Sequence, residues 1–330
     1  MQRPTDGGST AASACPDGLD AAPQGGPLDD VLRAALEEDQ AAHDVTAAAL
    51  VGPDIHGTAI VHAKASGVVC GLAEARRLFA LVDTELACEA LVPDGSEVAP
   101  GDRVLRVHGP LRAILATERT ALNVMQRMSG IATHTAQYVQ AVAGTDARIL
   151  ATRKTAPGLR VLDHAAVRAG GGDVHRESLG DRVLVKENHL AALRRERPGA
   201  TMTDLVRVLL ARVSGSVGIG IEVTSLSELE EVLVPGVDVV LLDNLQPATC
   251  ARAVALRRGR FPEGGGPELE ASGGIDLSTV HAFALTGVER ISVGAITHSV
   301  VALDLSMLVA LDVGKEAPDA GGPGPETPAA

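Results

Sequence analysis

Leu28, Val31, Leu32, Ala35 and Leu36 recur at the three- and four-residue spacing of an amphipathic helix over residues 28–40. From Thr58 to Val107 the pattern changes to short β-rich pieces, TAIVHAK, GVVCG and DRVLRVHG, split by turn sequences such as PDG and PGD. Residues 118–142 then read as a long helix, with a break expected near Ser129-Gly130. This first half predicts an α+β domain.

After Arg148 the pattern alternates. Seven short apolar runs are expected to be buried strands: ARILAT, HAAVRAG, DRVLVK, VGIGIEV, VDVVLLDN, PELEASGG and VERISVGA. Helix-like segments lie between several of them, for example residues 203–213 and 227–233. Near-continuous apolar strands interleaved with helices imply βα units and a parallel sheet covered on both faces. A polar or glycine-rich group ends almost every run: Thr152-Arg153-Lys154, Gly170-Gly171-Gly172, Lys186, Glu222, Asp243, Ser272-Gly273-Gly274 and Gly294. In an α/β barrel the strands' carboxyl ends share one mouth, so this ordering predicts a single site.

Composition narrows the partners. With 0 Trp, 1 Tyr and 3 Phe, the core must be aliphatic, and single-stranded nucleic acid finds no stacking platform. A net charge of −13 argues against a duplex-binding surface. Cys15, Cys70, Cys88 and Cys250 have no metal-ligand spacing, which reads as scattered reduced thiols. No apolar run is long enough to span a membrane, and no secretory signal is visible, so a cytoplasmic setting is expected. Residues 1–26 and 314–330 are poor in groups to bury and read as disordered tails.

Against the acidic background, residues 148–197 carry 11 Lys/Arg and 6 Asp/Glu. Arg153, Lys154, His175, Arg176 and Lys186 stand mainly at predicted strand ends, and suit a small polyanion bearing phosphate or several carboxylates. A charge pair at about 4 Å is worth roughly 4 kcal/mol at an effective dielectric near 20, so several pairs offset desolvation of a dianion. The SGG and VGA turns leave backbone N–H groups for a phosphate. Glu222 and Asp243 supply acceptors for sugar hydroxyls or, directly or through water, for Mg²⁺. Taken singly, each has a plainer reading. Asp243 suits a helix N-cap, Arg119 a solvated helix surface, His164 and His189 ordinary polar positions, and Arg194, Arg195 and Arg197 a solvated face. Their joint placement at successive strand ends is what points to a site.

Eight stretches in order carry a family resemblance: ERTALNVMQRMSGIAT, TRKTAPGLRVLDHAAVRAGGG, HR at 175–176, VLVKENH, IEV, LLDN, LEASGGI and ISVGAITHS. LVGPD and PDGSEVAPGD also fit. Over about residues 28–310 the chain resembles quinolinate phosphoribosyltransferase (decarboxylating), also called nicotinate-nucleotide pyrophosphorylase (carboxylating). The resemblance implies an N-terminal α+β sandwich-like domain, residues 27–130, and an incomplete, roughly seven-stranded α/β barrel of type II phosphoribosyltransferases, residues 131–295. Residues 296–313 are then expected to pack back on the N-terminal domain. It also implies a homodimer, or a multiple of dimers, in which Arg119 enters the partner's site.

Carried over by position, Arg153, His175 and Arg176, with Arg119, would bind the carboxylates of quinolinate. Lys154 and Lys186 would contact that substrate and phosphoribosyl pyrophosphate, with Thr152 beside them. Glu222 and Asp243 would hold ribose hydroxyls and Mg²⁺-linked pyrophosphate. Ser272, Gly273, Gly274, Val293, Gly294 and Ala295 would cradle the 5′-phosphate. The implied products are nicotinate mononucleotide, pyrophosphate and CO₂, with Mg²⁺ required and no organic cofactor. The chain departs from the usual family pattern at Ala151, where an acid is usual, Val174 (Asn), Ser178 (Gly) and His164 (Lys). Two alternatives are a paralogue acting on another aromatic acid or base, and a non-catalytic barrel binding phosphorylated ligands.

Overall fold

The computed structural model describes residues 26–213 and 217–312; the segments read as tails, 1–26 and 314–330, lie outside them except for Gly26. The N-terminal half holds α1 (Pro27–Glu38), α2 (Val45–Leu50), β1 (His56–Ala63), β2 (Gly67–Val68), α3 (Leu72–Val82), β3 (Ala87–Ala90), β4 (Glu97–Val98), β5 (Arg103–Pro110) and α4 (Leu111–Ala141). The barrel follows as β6 (Arg148–Ala151), α5 (Arg160–Ala169), β7 (Asp173–Val174), β8 (Val183–Val185), α6 (Glu187–Glu196), α7 (Met202–Arg212), β9 (Ile219–Val223), α8 (Leu226–Val232), β10 (Val239–Asp243), α9 (Pro247–Arg260), β11 (Glu268–Ser272), α10 (Val280–Ala284), β12 (Arg290–Val293) and α11 (Ala295–His298). A last strand, β13 (Leu305–Leu311), closes the described chain.

Local chemistry explains several boundaries. Pro27 opens α1, with Asp29 and Asp30 in its first turn, where the helix dipole favours acids. Asp44 caps α2 by accepting from the backbone N–H groups of Thr46 and Ala47 at 3.0 and 2.9 Å. Thr201 and Asp204 form a reciprocal capping box at α7.

One four-stranded antiparallel sheet has the order β13-β1-β5-β3, so the C-terminal strand pairs along all of β1 but its first residue, from Gly57–Leu311 to Ala63–Leu305. The other main sheet has seven parallel strands in the order β7-β6-β12-β11-β10-β9-β8. It curls into an incomplete barrel whose two edge strands, β7 and β8, are joined directly by residues 175–182. Each sheet has its own apolar core, and α4 belongs to both. Ile114, Ala121, Leu122 and Met125 fill the N-terminal core, while Met128, Ile131, Ala132 and Tyr138 fill the barrel core.

Three sequence expectations need correction. No break interrupts α4 at Ser129-Gly130. Gly130 is there for close approach: a Cβ would lie 2.2 Å from the carbonyl oxygen of Val301, which crosses the helix at that point. Ser129 is fully buried and uses its hydroxyl to bond the backbone of Cys70, accepting from its N–H at 2.9 Å and donating to its carbonyl at 3.1 Å. HAAVRAG is the end of helix α5 rather than a strand; the second strand of the barrel is the short β7 that follows it. Gly170 and Gly172 pack against α4, where Cβ atoms would meet the Ala132 carbonyl oxygen at 2.4 Å and Thr135 Cγ2 at 2.6 Å. The group that follows the second strand is therefore His175-Arg176 rather than the glycine triplet.

The third correction concerns strand polarity. Ile149, Ala151, Ile221, Val223, Val240, Leu242, Leu269, Ala271, Ile291 and Val293 pack in the core shared with the helices. The alternate positions, among them Arg148, Glu222, Asp243, Glu268, Glu270, Arg290 and Ser292, fall on the concave side by the two-residue period of a strand. The outer layer is dry and aliphatic, and the barrel lining sets these polar and charged groups among the buried Leu150, Val239 and Leu241.

Candidate active site

Strand ends bring the candidate cations together in pairs. Arg153 follows β6 and Arg176 follows β7, and these strands are neighbours. Burial lowers the pKa of the Arg176 guanidinium, and the charge of Arg153 lowers it further, which places two like charges side by side. Arg176 donates from Nη1 to the carbonyl of Arg182 at 3.0 Å. Nε of Arg153, Nη1 of Arg182 and Nε2 of His175 are buried without a hydrogen-bond partner. Buried donors are normally satisfied, and unpaired guanidinium groups are costly, so this corner is built to receive an anion. Arg182 was not singled out in the sequence, because it precedes β8 instead of following a strand.

The opposite flank is acidic. Lys186, at the end of β8, donates from Nζ to Glu222 Oε2, on the neighbouring strand β9. The Lys186 N–H donates to the ring of His189 at 3.0 Å, so His189 serves the start of α6. Asp243 ends β10 and does not cap α9, whose N-cap is Gln246. It accepts instead from the side-chain amide of Asn244 at 2.8 Å.

Asn244, the last residue of the LLDN stretch, has a role that its sequence context does not reveal. It takes a left-handed conformation, φ 56°, and donates its backbone N–H to the carbonyl of Ser272 at 2.8 Å. Gly273, at φ 104°, passes so close that a Cβ would lie 2.2 Å from Asn244 Oδ1. Only glycine fits there. Gly274, at φ 60°, has open space where a side chain would be, which leaves room for a ligand against the turn. Val293 is buried in the helix-side core and can offer only backbone, whereas Gly294 and Ala295 are partly exposed. Thr152 Oγ1 accepts from the N–H of Lys154 at 3.2 Å, and the carbonyl of Lys154 accepts from Thr297 Oγ1 at 3.0 Å. A Cβ on Gly294 would lie 3.2 Å from both Lys154 Cδ and the His298 ring, so the lysine stem and that ring converge over this glycine.

Arg119 is exposed on α4, outside this group, with no hydrogen bond or ion pair among the described residues. Of the departures from the family pattern, Ala151 packs in the helix-side core and Val174 is half-buried. His164 is buried in α5 and bonds Glu177 at 2.7 Å between Nδ1 and Oε2, which ties the loop after Arg176 to the helix. Among the described residues no group of three or more His, Cys, Asp or Glu is arranged to hold a metal ion. Glu222 and Asp243 offer two carboxylates on adjacent strands, a donor set that fits Mg²⁺ arriving with substrate phosphates better than a resident all-protein cage.

Known proteins share this sequence pattern and fold. The family model for the quinolinate phosphoribosyl transferase N-terminal domain matches residues 44–129, and that for its C-terminal domain matches residues 131–308. Quinolinate phosphoribosyltransferase [decarboxylating] 1b of Nicotiana tabacum is 39% identical over 308 residues, covering 87% of this chain and 85% of that protein. The probable nicotinate-nucleotide pyrophosphorylase [carboxylating] of Bacillus subtilis (strain 168) is 36% identical over 274 residues, covering 83% and 90%. The crystal structure of NadC from Streptococcus pyogenes superposes with a TM-score of 0.81 at 34% identity, covering 90% of this chain and all of that one. With an N-terminal α+β half, an incomplete seven-stranded barrel, the ordered strand-end motifs and these relatives in agreement, the chain belongs to the quinolinate phosphoribosyltransferase family.

Proposed function

We propose that the barrel mouth transfers the phosphoribosyl group of phosphoribosyl pyrophosphate to quinolinate, releasing pyrophosphate and CO₂ and leaving nicotinate mononucleotide. The observation that carries this reading is the set of buried, unpartnered guanidinium donors on Arg153 and Arg182 beside Arg176. A pyridine dicarboxylate matches such a set, since guanidinium groups bind carboxylates bidentately.

The chemistry follows from that placement. The cations hold the two carboxylates while the ring nitrogen faces C1 of the ribose, so positioning supplies much of the rate. As the C1–oxygen bond to pyrophosphate breaks, C1 gains positive character, which the carboxylates of Glu222 and Asp243 stabilise on the ribose side. Lys186 partly neutralises Glu222 until substrate arrives. The new C1–N bond makes the pyridine nitrogen cationic. Electrons of the C2–carboxylate bond then pass into the ring, CO₂ departs, and a proton replaces it at C2. Glu222 and Asp243 are the residues that would hold Mg²⁺, which when bound neutralises the leaving pyrophosphate.

The turn at Ser272–Gly274 and the Val293–Ala295 segment receive the 5′-phosphate, supported by the room beside Gly274. The working unit is a homodimer with Arg119 entering the partner's site. Its support is the exposed Arg119 together with edge strand β13, which exposes Leu308, Val309 and Leu311. A cytoplasmic setting is supported by the free thiols of Cys70, Cys88 and Cys250. Among the described residues no helix is long and apolar enough to cross a membrane. Substrate choice tests the proposal: quinolinate should form nicotinate mononucleotide with phosphoribosyl pyrophosphate and Mg²⁺, and nicotinate should not. Equal use of nicotinate would assign the cationic corner to another ligand.

A further inference from the structure

Glu270 is a fully buried carboxylate in the barrel lining that the reaction above does not use. Its Oε2 accepts from Arg290 Nε at 2.8 Å, and its Oε1 accepts from the hydroxyl of Ser292. Nε2 of His175 points at the same Oε1 from 3.6 Å, and has no closer partner. His175 is itself fixed in place, since its backbone N–H continues the ladder by donating to the Ala151 carbonyl at 3.0 Å. Glu268 bridges Arg290, at 3.2 Å from Nη1, and Arg148, so Glu270 balances Arg290 through Oε2 while its Oε1 faces Ser292 and His175.

Resting on the quinolinate reading, we propose that Glu270 is a positioning residue for His175. It holds the imidazole with Nε2 protonated and turned into the barrel, so that a substrate carboxylate meets Nδ1 of the imidazolium form. Both carboxylate oxygens already accept hydrogen bonds, so Glu270 has only acceptor character to offer the ring. A bare Nε2 lone pair facing that oxygen in a water-excluded lining would be repelled, which selects the tautomer with the proton on Nε2. In that tautomer the neutral ring would present its lone pair, at Nδ1, to an anionic ligand. Only the imidazolium presents an N–H. The charged groups facing His175 are Glu270 on β11, Arg290 on β12, and Arg176 and Arg182 on the loop between β7 and β8. Burial, with the three arginines, keeps the unliganded imidazole below its ordinary pKa range, against the opposing pull of Glu270. A dianion bound among these groups reverses the balance, so quinolinate binding takes up a proton.

Nitrogen-15 NMR of histidine-labelled full-length protein reads the tautomer directly, with the His175 signal assigned from a His175→Asn variant. Calorimetry of quinolinate binding in buffers of different ionisation enthalpy reads the proton. The expected wild-type result is a neutral His175 protonated on Nε2, uptake of about one proton per quinolinate, and a quinolinate KM that rises about tenfold per pH unit above the imidazole range. Glu270→Gln should mix the tautomers, reduce the uptake and raise KM about tenfold near neutral pH, with kcat changed much less. A neutral wild-type ring protonated on Nδ1 would overturn the proposal, as would unchanged proton uptake and pH profile in Glu270→Gln. Should that variant fail to fold, the wild-type tautomer and proton count still decide. The tautomer is read without substrate, so it separates failure of this role from failure of quinolinate as the substrate.

Discussion

Arg153 and Arg176 are adjacent, partly buried and of one sign, so the unliganded protein carries a repulsion that an anionic ligand removes. Replacing Arg153 by Ala should therefore separate function from stability. The loss of a charged hydrogen-bond donor is expected to cost about 2–3 kcal/mol of transition-state binding, roughly a hundredfold in kcat/KM for quinolinate. The urea midpoint of the unliganded variant should be no lower than wild type. A clear fall in that midpoint would mean that Arg153 serves the fold. Glu177 gives the residue scale its pH dependence. Burial opposes ionisation, but hydrogen bonds from His164 and Arg168 outweigh it and hold the carboxyl below its ordinary range. A depressed carboxyl stabilises the native state above its unfolded pKa, and that contribution is lost as pH falls through the folded value. Wild type should therefore exceed Glu177→Gln in urea midpoint at pH 7, and the gap should close in acid. A gap that does not shrink as the pH falls below the carboxylate range would contradict the pairing.

At the scale of elements, α4 is the shared beam of both cores, about 46 Å long at 1.5 Å per residue over its 31 residues. Gly130→Ala forces a Cβ against the Val301 carbonyl oxygen at 2.2 Å, where backbone must move. The expected cost is about 1–3 kcal/mol, read as a lower denaturation midpoint with both halves still unfolding together. Separate transitions would show that the two cores are not coupled through α4. Six of the seven barrel strands and the residues at their ends were legible in the sequence, because βα units leave short apolar runs closed by polar groups. HAAVRAG misled because a short buried helix and a buried strand look alike when the window is seven residues long. The two-residue β7 offers no periodicity to find. Ser129-Gly130 resembled a helix end, since the partner that makes glycine necessary, Val301, is remote in sequence. Glu270, Arg290 and Ser292 lay in view within predicted strands, but their alternation marks a charged barrel lining only once the sheet is known to curl. Asn244 was missed because its work depends on Gly273, from the next strand end.

The whole molecule sets two sheets around one helix and returns its last strand, β13, to the first sheet. This leaves Arg119 on an outer face and an apolar strand at the sheet edge, the arrangement that a second copy would complete. Subunit mixing checks it. Arg119→Ala and Arg153→Ala should each be nearly inactive alone. Random pairing of the two puts both lesions in one site of each mixed dimer and leaves the other intact, restoring about a quarter of wild-type activity. No recovery after verified exchange would place Arg119 outside the partner's site.

The most direct test of the central claim is the stoichiometry of turnover by the full-length protein, given Mg²⁺, phosphoribosyl pyrophosphate and quinolinate labelled in its C2 carboxylate. One labelled CO₂ for each pyrophosphate and each nicotinate mononucleotide is the predicted result. Folded protein that binds quinolinate yet releases neither CO₂ nor pyrophosphate would contradict it.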